Sequence, residues 1–302
     1  MSAPDFSKGA AWIRGEIVPI GEASIGVNDW GLTHSDITYD VVPCWDGAFF
    51  RLPDYLDRFF ASMAAARMSV PQDREAVRAI LHQMVARSGL TFAYVAMVVS
   101  RGVPMIPGTR DPRQCANHFY AWCVPYIHIV PEAEVAKGVA MWVAETVERI
   151  PDESVDQTVK NYHWGDFTRG LFEGYDHGAN TTCLLDRDGN VTEGPGFNVF
   201  AVSGNRVMTP RRHCLKGLTR RTVLELAAEA GHTVEERDIP LDDFLEADEV
   251  FITSSGGGVI PIVNVKGRIF GNGAPGPVTT ALREAYVQRR MAPQYRDVID
   301  YG

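Results

Sequence analysis

Val159-Lys160-Asn161-Tyr162-His163-Trp164-Gly165-Asp166 places a lysine between an apolar residue and a polar-aromatic cluster, just ahead of a segment with helical spacing. Most lysines are solvated surface residues. A lysine desolvated at a cleft loses proton affinity and becomes an amine nucleophile able to form a Schiff base. What else the chain carries separates these two readings of Lys160.

Three features fit a Schiff-base cofactor. Glu193, in Val191-Thr192-Glu193-Gly194-Pro195-Gly196-Phe197-Asn198, is a carboxylate in a tight Gly/Pro turn. Aimed at a pyridine nitrogen, it would keep that nitrogen protonated, as an electron-sink ring requires; taken alone, a solvated turn glutamate explains it as well. Gly217-Leu218-Thr219 opens an amphipathic helix, where backbone N–H groups beside a hydroxyl form a phosphate seat. A threonine at a helix start is also commonplace. Ser254-Ser255-Gly256 after a strand offers a second donor set, and Arg58 a charge-assisted contact to the same phosphate. Together these parts describe a pyridoxal phosphate site, with Lys160 as its catalytic residue.

The whole chain removes other classes. Its 302 residues suffice for one large or two moderate domains, and 45% apolar with 22% charged residues is ordinary for a globular protein. A formal net charge of -9 argues against nucleic acid, which demands a basic face. The stretch MSAPDFSKGAAWIRGEI has no apolar core of signal-peptide length, and no segment approaches the ~18–20 apolar residues of a membrane span. Cys44, Cys115, Cys123, Cys183 and Cys214 contain no C-x-x-C, which predicts reduced, mostly buried thiols in a cytoplasmic protein with no membrane partner. The eight histidines show no ligand spacing, so no metal is expected. Gly271-Asn272-Gly273-Ala274-Pro275-Gly276 spells G-x-G-x-x-G, but too little chain follows for a dinucleotide fold, and it reads as a surface turn. There is no G-x-S-x-G elbow.

Periodicity gives the organisation. Residues 10–18 read as two strands about Gly15; 39–45 and 48–52 read as a hairpin closed by Asp46-Gly47. Tyr55, Leu56, Phe59, Phe60 and Met63 recur at helical spacing behind Pro53, within 53–68; Val77, Ile80, Leu81, Met84 and Val85 mark a second helix stopped at Gly89. Strands follow over 91–100 and 118–124, joined by a Gly/Pro-rich loop at 101–115. The first domain is thus 1–124, an α+β unit with hairpins; 125–133, with two prolines, is an inter-domain connection, and 134–302 the larger domain. In the latter, strands are expected at 139–146, 182–185, 196–202 and 248–253, and helices at 164–177, 218–230 and 277–290.

These residues in this order resemble the fold-type IV pyridoxal-phosphate enzymes, the branched-chain and D-amino-acid aminotransferase class. The match spans almost the whole chain: Asp29-Trp30-Gly31 with His34-Ser35-Asp36, Tyr39 before the Asp46-Gly47 hairpin, Leu56-Asp57-Arg58, Val159-Lys160-Asn161, Thr192-Glu193-Gly194 with Phe197-Asn198-Val199-Phe200, Gly217-Leu218-Thr219-Arg220, and Ala247-Asp248-Glu249-Val250-Phe251. The resemblance implies a two-domain α+β fold, D-amino-acid aminotransferase-like, with a small N-terminal α/β sandwich domain and a larger C-terminal mixed β-barrel-like domain. It also implies pyridoxal 5'-phosphate on Lys160, Glu193 at the ring nitrogen, and phosphate held by Arg58, Gly217, Leu218, Thr219, Ser254 and Ser255. A homodimer is expected by the same analogy.

The subgroup turns on Pro43. Branched-chain enzymes of the class carry an arginine four residues after the aromatic that corresponds to Tyr39, and D-amino-acid enzymes a lysine. A proline cannot pair with a substrate carboxylate. The surroundings His34–Val41 and Lys160–Asp166 look most like the (R)-selective amine:pyruvate transaminases; Thr33 and Pro195 depart from them. That likeness implies transfer of an amino group from an (R)-amine to pyruvate, giving a ketone and D-alanine, with Lys160 moving the proton. Arg101 or Arg110, both in the 101–115 loop, would swing in for the keto-acid carboxylate. Tyr39, Val41, Tyr94 and Trp164 would shape the pockets, with His34 at their edge. The rivals are a D-amino-acid or branched-chain aminotransferase, an aminodeoxychorismate-lyase-type enzyme of the same fold, and a non-catalytic binding protein.

Overall fold

Strand Ile37–Trp45 belongs to the first of two units, and almost every residue along it is buried. The structure, a computed structural model, describes residues 5–302. Residues 1–4, which begin both the expected first domain and the stretch read as lacking a signal-peptide core, lie outside them. The first unit runs to Ile127 and takes in Val159–Tyr162 and Arg290–Gly302; the second holds His128–Thr158 and His163–Arg289.

Two corrections to the expected division follow. The Lys160 segment and the chain end join the first unit: Asn161 forms a β-bridge with Thr38, and strand Arg296–Val298 pairs with Ala48–Phe50. The expected connection 125–133 is divided after Ile127, and its end enters helix Glu132–Lys137 behind Pro131. Neither tie leaves a trace in local periodicity, because both are pairings across more than a hundred residues.

In the first unit an antiparallel sheet runs in the order Arg296–Val298, Ala48–Phe50, Ile37–Trp45, Ala93–Pro104, Cys115–Pro125, Ala10–Ile13, Glu16–Pro19. Asp46 and Gly47 both have positive φ, 52° and 69°, the requirement of the tight hairpin their sequence signals. Helix Leu52–Ala65 buries Leu52, Tyr55, Leu56, Phe59 and Met63. Helix Arg74–Ser88 is capped by Asp73, whose carboxylate accepts from Ala76 N, and buries Val77, Leu81, Met84 and Val85. Side chains alternate across a strand, so the sheet has two distinct faces. The Asp40–Met97–Ala121 face takes the helices, with Phe59 against Phe119 and Cys123 against Met84.

The expected loop 101–115 is shorter than its composition suggested. Strand Ala93–Pro104 continues through Arg101 by a register shift between Ser100 and Val103. Gly102, at φ 80°, makes this possible, since any Cβ there would collide with the Ala116 carbonyl. Arg101 is therefore a strand residue, and the irregular loop begins after Pro104.

The second unit is a mixed sheet ordered Thr233–Arg237, Arg206–Pro210, Phe197–Ser203, Glu249–Ser254, Gly258–Val265, Val139–Val143, Thr181–Cys183. It curls shut. Leu184 N donates to Glu193 O and Thr192 N to Leu184 O, each at 3.0 Å, and Glu193–Gly194 pairs with Phe197–Ser203. The ring so formed encloses Val139, Met141, Val143, Val199, Ala201, Val250, Ile252, Ile260 and Ile262 in one core, as the expected barrel-like domain requires. Strands Arg206–Pro210, Thr233–Arg237 and Gly258–Val265 were not anticipated: prolines at 210 and 261 argue against a strand in two of them, and the third is mostly charged. Helices Gly165–Asp176, Leu218–Glu229 and Pro277–Met291 lie within a residue or two of expectation.

Closure depends on a close approach at Gly194, where a Cβ would strike the Thr182 carbonyl and the Phe197 ring. We expect Gly194→Ala to lower the unfolding free energy by about 1–3 kcal/mol, the cost of overpacking a tight site. Urea denaturation measures it, and an unchanged midpoint would show that the ring relaxes freely.

Candidate active site

In the first unit the Lys160 carbonyl accepts from Tyr39 N at 3.1 Å and from Thr38 Oγ1 at 2.9 Å. These bonds fasten an otherwise irregular segment to strand Ile37–Trp45. Lys160 is half-buried, and its Nζ lies 4.4 Å from the centre of the Tyr39 ring, a cation–π contact. The one bridging residue of the segment is its neighbour Asn161, opposite Thr38, so Lys160 itself lies just ahead of that bridge.

The face of the sheet opposite the helices supplies the surroundings. Its rows are Tyr39–Val98–Tyr120, Val41–Ala96–Trp122 and Pro43–Tyr94–Val124. Tyr39, Val41, Ala96 and Val98 pack with Tyr94, Tyr120, Trp122 and Tyr162. Tyr94 stacks on Trp122 with ring centres 5.4 Å apart, and Tyr39 meets Tyr162 at 4.3 Å with the rings tilted by 45°. Burial pushes the Tyr94, Tyr120 and Tyr162 phenols up, so they stay neutral at physiological pH. Lys160, Tyr39, Val41 and Tyr94 are thus brought together. Tyr120, Trp122 and Tyr162 belong with them; Tyr162 is two residues from Lys160, and the other two alternate along a strand that periodicity had already found.

Other expected residues of this unit are placed differently. Arg101 is buried and clamped: it donates to both oxygens of Asp36 at 2.8 and 3.1 Å, and to the carbonyls of Arg67 and Ala66 at 3.0 and 2.7 Å. A side chain so held cannot serve as the swinging carboxylate ligand. Arg110 is exposed in the remaining loop. His34 is exposed too, stacked on Trp30 with its Nδ1 2.8 Å from Thr33 Oγ1. Arg58 commits Nε and Nη2 to Asp40, both at 2.7 Å, from the helix side of the sheet.

In the second unit Glu193 is 5% exposed and held through both oxygens. Its Oε1 accepts from Arg149 Nη2 at 3.0 Å and Nε at 3.3 Å; its Oε2 accepts from Leu215 N at 2.9 Å and Asn198 Nδ2 at 3.5 Å. Asn198 also donates to Leu215 O at 2.7 Å, joining Glu193 to the turn before Gly217. A Cβ on Gly217 would collide with Asn198 Oδ1, so glycine is required there for this packing. Ser254 Oγ donates to Gly196 O and accepts from Gly256 N, so its hydroxyl braces two turns. Ser255 lies in the glycine turn behind it. Trp164 is half-buried and packs edge-on against Phe167. Arg149 carries no local signal, and Asn198 was read only as part of a motif: neither is tied to Glu193 until the ring closes around it.

The arrangement fits a phosphorylated pyridine. Helix Leu218–Glu229 starts at Gly217 with no side-chain cap, and a helix start of that kind suits an anion. Thr219 Oγ1 and Thr253 Oγ1 are buried hydroxyls with no hydrogen-bond partner, a costly state that acceptor oxygens would relieve. Among the described residues no three His, Cys, Asp or Glu side chains converge to hold a metal. Likewise no described helix is long and apolar enough to cross a membrane. All five cysteines are buried, and burial pushes the Cys183 and Cys214 thiols up to about 12, far from nucleophilic.

Comparison with known proteins agrees. The family model for Amino-transferase class IV matches residues 38–265. A putative branched-chain-amino-acid aminotransferase of Methanocaldococcus jannaschii is 28% identical over 91% of this chain and 94% of its own length. A D-alanine aminotransferase of Listeria innocua is 27% identical with the same coverage. Among solved structures, a branched-chain amino acid aminotransferase from T.th. with pyridoxamine 5'-phosphate superposes with a TM-score of 0.88 at 25% identity, covering 97% of this chain and 99% of that one. The two-domain α+β fold is that of the fold-type IV enzymes.

Asp40 has no solvent exposure in its side chain and Arg58 only 13%. Asp40→Ala strips a nearly buried guanidinium of its counter-charge, and we expect a loss of about 3–5 kcal/mol in urea unfolding. A loss below about 1 kcal/mol would mean that Arg58 finds another partner at little cost.

Proposed function

The chain belongs to the class IV aminotransferases and is a pyridoxal-phosphate-dependent enzyme, and from that premise we propose that it moves the amino group of an (R)-amine to pyruvate, giving a ketone and D-alanine. The observation that carries this reading is the uncharged face around Lys160. Pro43 stands there in a row with Tyr94 and Val124, and none of the three sheet rows on that face carries a charge. An amino-acid donor needs a cation for its α-carboxylate; an apolar amine needs aromatic walls. The relatives named as branched-chain and D-alanine aminotransferases support a second reading, an amino-acid donor, which requires a cation from elsewhere in the chain or from a partner copy.

Bound pyridoxal phosphate supplies the carbonyl that takes up the amine and the ring that accepts an electron pair. Lys160 anchors it through its amine and, once displaced by substrate, carries the proton of the amine-bearing carbon. Glu193 keeps the ring nitrogen protonated. Gly217, Leu218 and Thr219, with Ser255 and Arg58, hold the phosphate; Ser254 shapes their turn. Tyr39, Val41, Tyr94 and Trp164 bound the substrate, with His34 at the rim. With Arg101 clamped, Arg110 takes the keto-acid carboxylate. The reading carries with it a homodimer and a cytoplasmic setting, the latter supported by five unpaired cysteines.

Purified protein mixed with cofactor should develop a band near ~410–420 nm that Lys160→Ala abolishes. A panel of amine donors with pyruvate should show turnover of (R)- but not (S)-1-phenylethylamine. Faster turnover of D-glutamate or L-leucine would move the assignment to the amino-acid enzymes, and pyruvate released with no acceptor present would point to a lyase. Arg110→Ala should raise KM for pyruvate about tenfold or more, the loss of one charge-assisted pair, while the amine half-reaction stays unchanged in single-turnover kinetics.

A further inference from the structure

Arg149 and Asp166 have no assigned part in the reaction, yet they form with Glu193 the most deeply buried charge cluster of the second unit. Their side chains are 4%, 4% and 7% exposed. We propose that Arg149 and Asp166 are positioning residues for Glu193, and that the net negative charge of this triad sets how firmly Glu193 holds a proton on the ring nitrogen of the cofactor. The inference rests on the reading of Glu193 as the partner of that nitrogen.

The geometry divides the arginine between two carboxylates. Arg149 Nη1 donates to Asp166 Oδ2 at 2.5 Å, while Nη2 and Nε reach Glu193 Oε1 at 3.0 and 3.3 Å. Nη2 also donates to Gln157 Oε1, and Gln157 is fixed in turn by donating to Ile150 O and Val155 O at 3.0 and 2.9 Å. The guanidinium lies 4.1 Å over the Phe167 ring, a cation–π contact that adds to the hydrogen bonds fixing its plane. Asp166 is pinned independently: Ile150 N donates to Oδ2 at 3.0 Å and Phe167 N to Oδ1 at 2.8 Å.

The count of charges gives the arrangement a purpose. One guanidinium orients Glu193, but alone it would also offset its charge, and an offset pair pulls weakly on a ring proton in a site of low dielectric. Asp166, making the shorter bond, takes up the arginine's charge and leaves one net negative charge facing the ring through Glu193. Stability is a poor alternative explanation. Buried ion clusters are commonly no more stabilising than apolar side chains of similar volume. Two carboxylates on one guanidinium are what a proton-holding device needs and a structural pair does not.

Opposite substitutions should act in opposite directions. Holoenzyme is prepared with pyridoxal phosphate labelled with nitrogen-15 in the ring, and the ring-nitrogen chemical shift is followed across pH. Asp166→Asn should lower the midpoint of ring deprotonation by about one unit or more, and Arg149→Gln should raise it, shifts of the size that a charge within hydrogen-bonding range produces. Wild-type midpoints in both variants would overturn the proposal, as would shifts of the same sign in both. Failure of both variants to fold, read by circular dichroism and thermal melting, would also overturn it, because the triad would then serve stability. The parent reading fails separately: a wild-type holoenzyme whose ring nitrogen is unprotonated at neutral pH removes Glu193 from its role whatever the variants do.

Discussion

Two hydrogen bonds to one carbonyl organise the first unit around its chemistry. Tyr39 N and Thr38 Oγ1 both donate to Lys160 O. The lysine follows an irregular stretch with no regular structure of its own, and without these bonds its backbone would have no fixed place. Fastened to the strand, Lys160 inherits the strand's precision. The same strand shows Asp40 to the helices on one face and Tyr39, Val41 and Pro43 on the other. Period-two alternation therefore separates the ion pair that braces the helix from the uncharged wall beside the amine. Slipping the register by one residue would exchange the two faces and destroy both.

The second unit answers the same need by closing a ring. Glu193 belongs to the short strand that completes the circuit, so the hydrogen bonds that close the sheet also orient its carboxylate. Gly194 and Gly217 are glycines because backbone or amide oxygens occupy the space a Cβ would take. Around that point the chain leaves Thr219 and Thr253 hydroxyls buried and unpartnered, and a helix start without a side-chain cap. Proteins rarely leave such groups unsatisfied. Acceptor oxygens of a bound phosphate would satisfy such hydroxyls.

Much of this was legible in the chain itself. Lys160, Glu193 and the Gly217–Thr219 turn each carry a local signal, and their order along the sequence gave the class and its cofactor. The helices were legible because apolar spacing at 3.6 residues needs no knowledge of a partner. The Asp46-Gly47 hairpin was legible because only certain residues accept two consecutive positive φ angles. Composition misled where a bulge was concerned: Gly102 and its prolines suggested a loop, whereas the glycine lets the strand run on and buries Arg101 against Asp36.

The sequence by itself determined the groups available: a lysine, a carboxylate in a tight turn, a glycine-opened helix start, and an uncharged Pro43. Tertiary structure alone decided which groups support them. Arg149 has no periodic or motif signal, and nothing local ties Asp166 or Asn198 to Glu193, because that link is made by convergence of separate stretches of chain. Arg101 and Arg58 looked equally available in the sequence, yet folding clamps Arg101 on Asp36 and two carbonyls, whereas it seats Nε and Nη2 of Arg58 on Asp40. Motifs record what a residue can do; a charge's partners are set by what folding buries beside it, and pairing across long stretches of chain leaves no local trace.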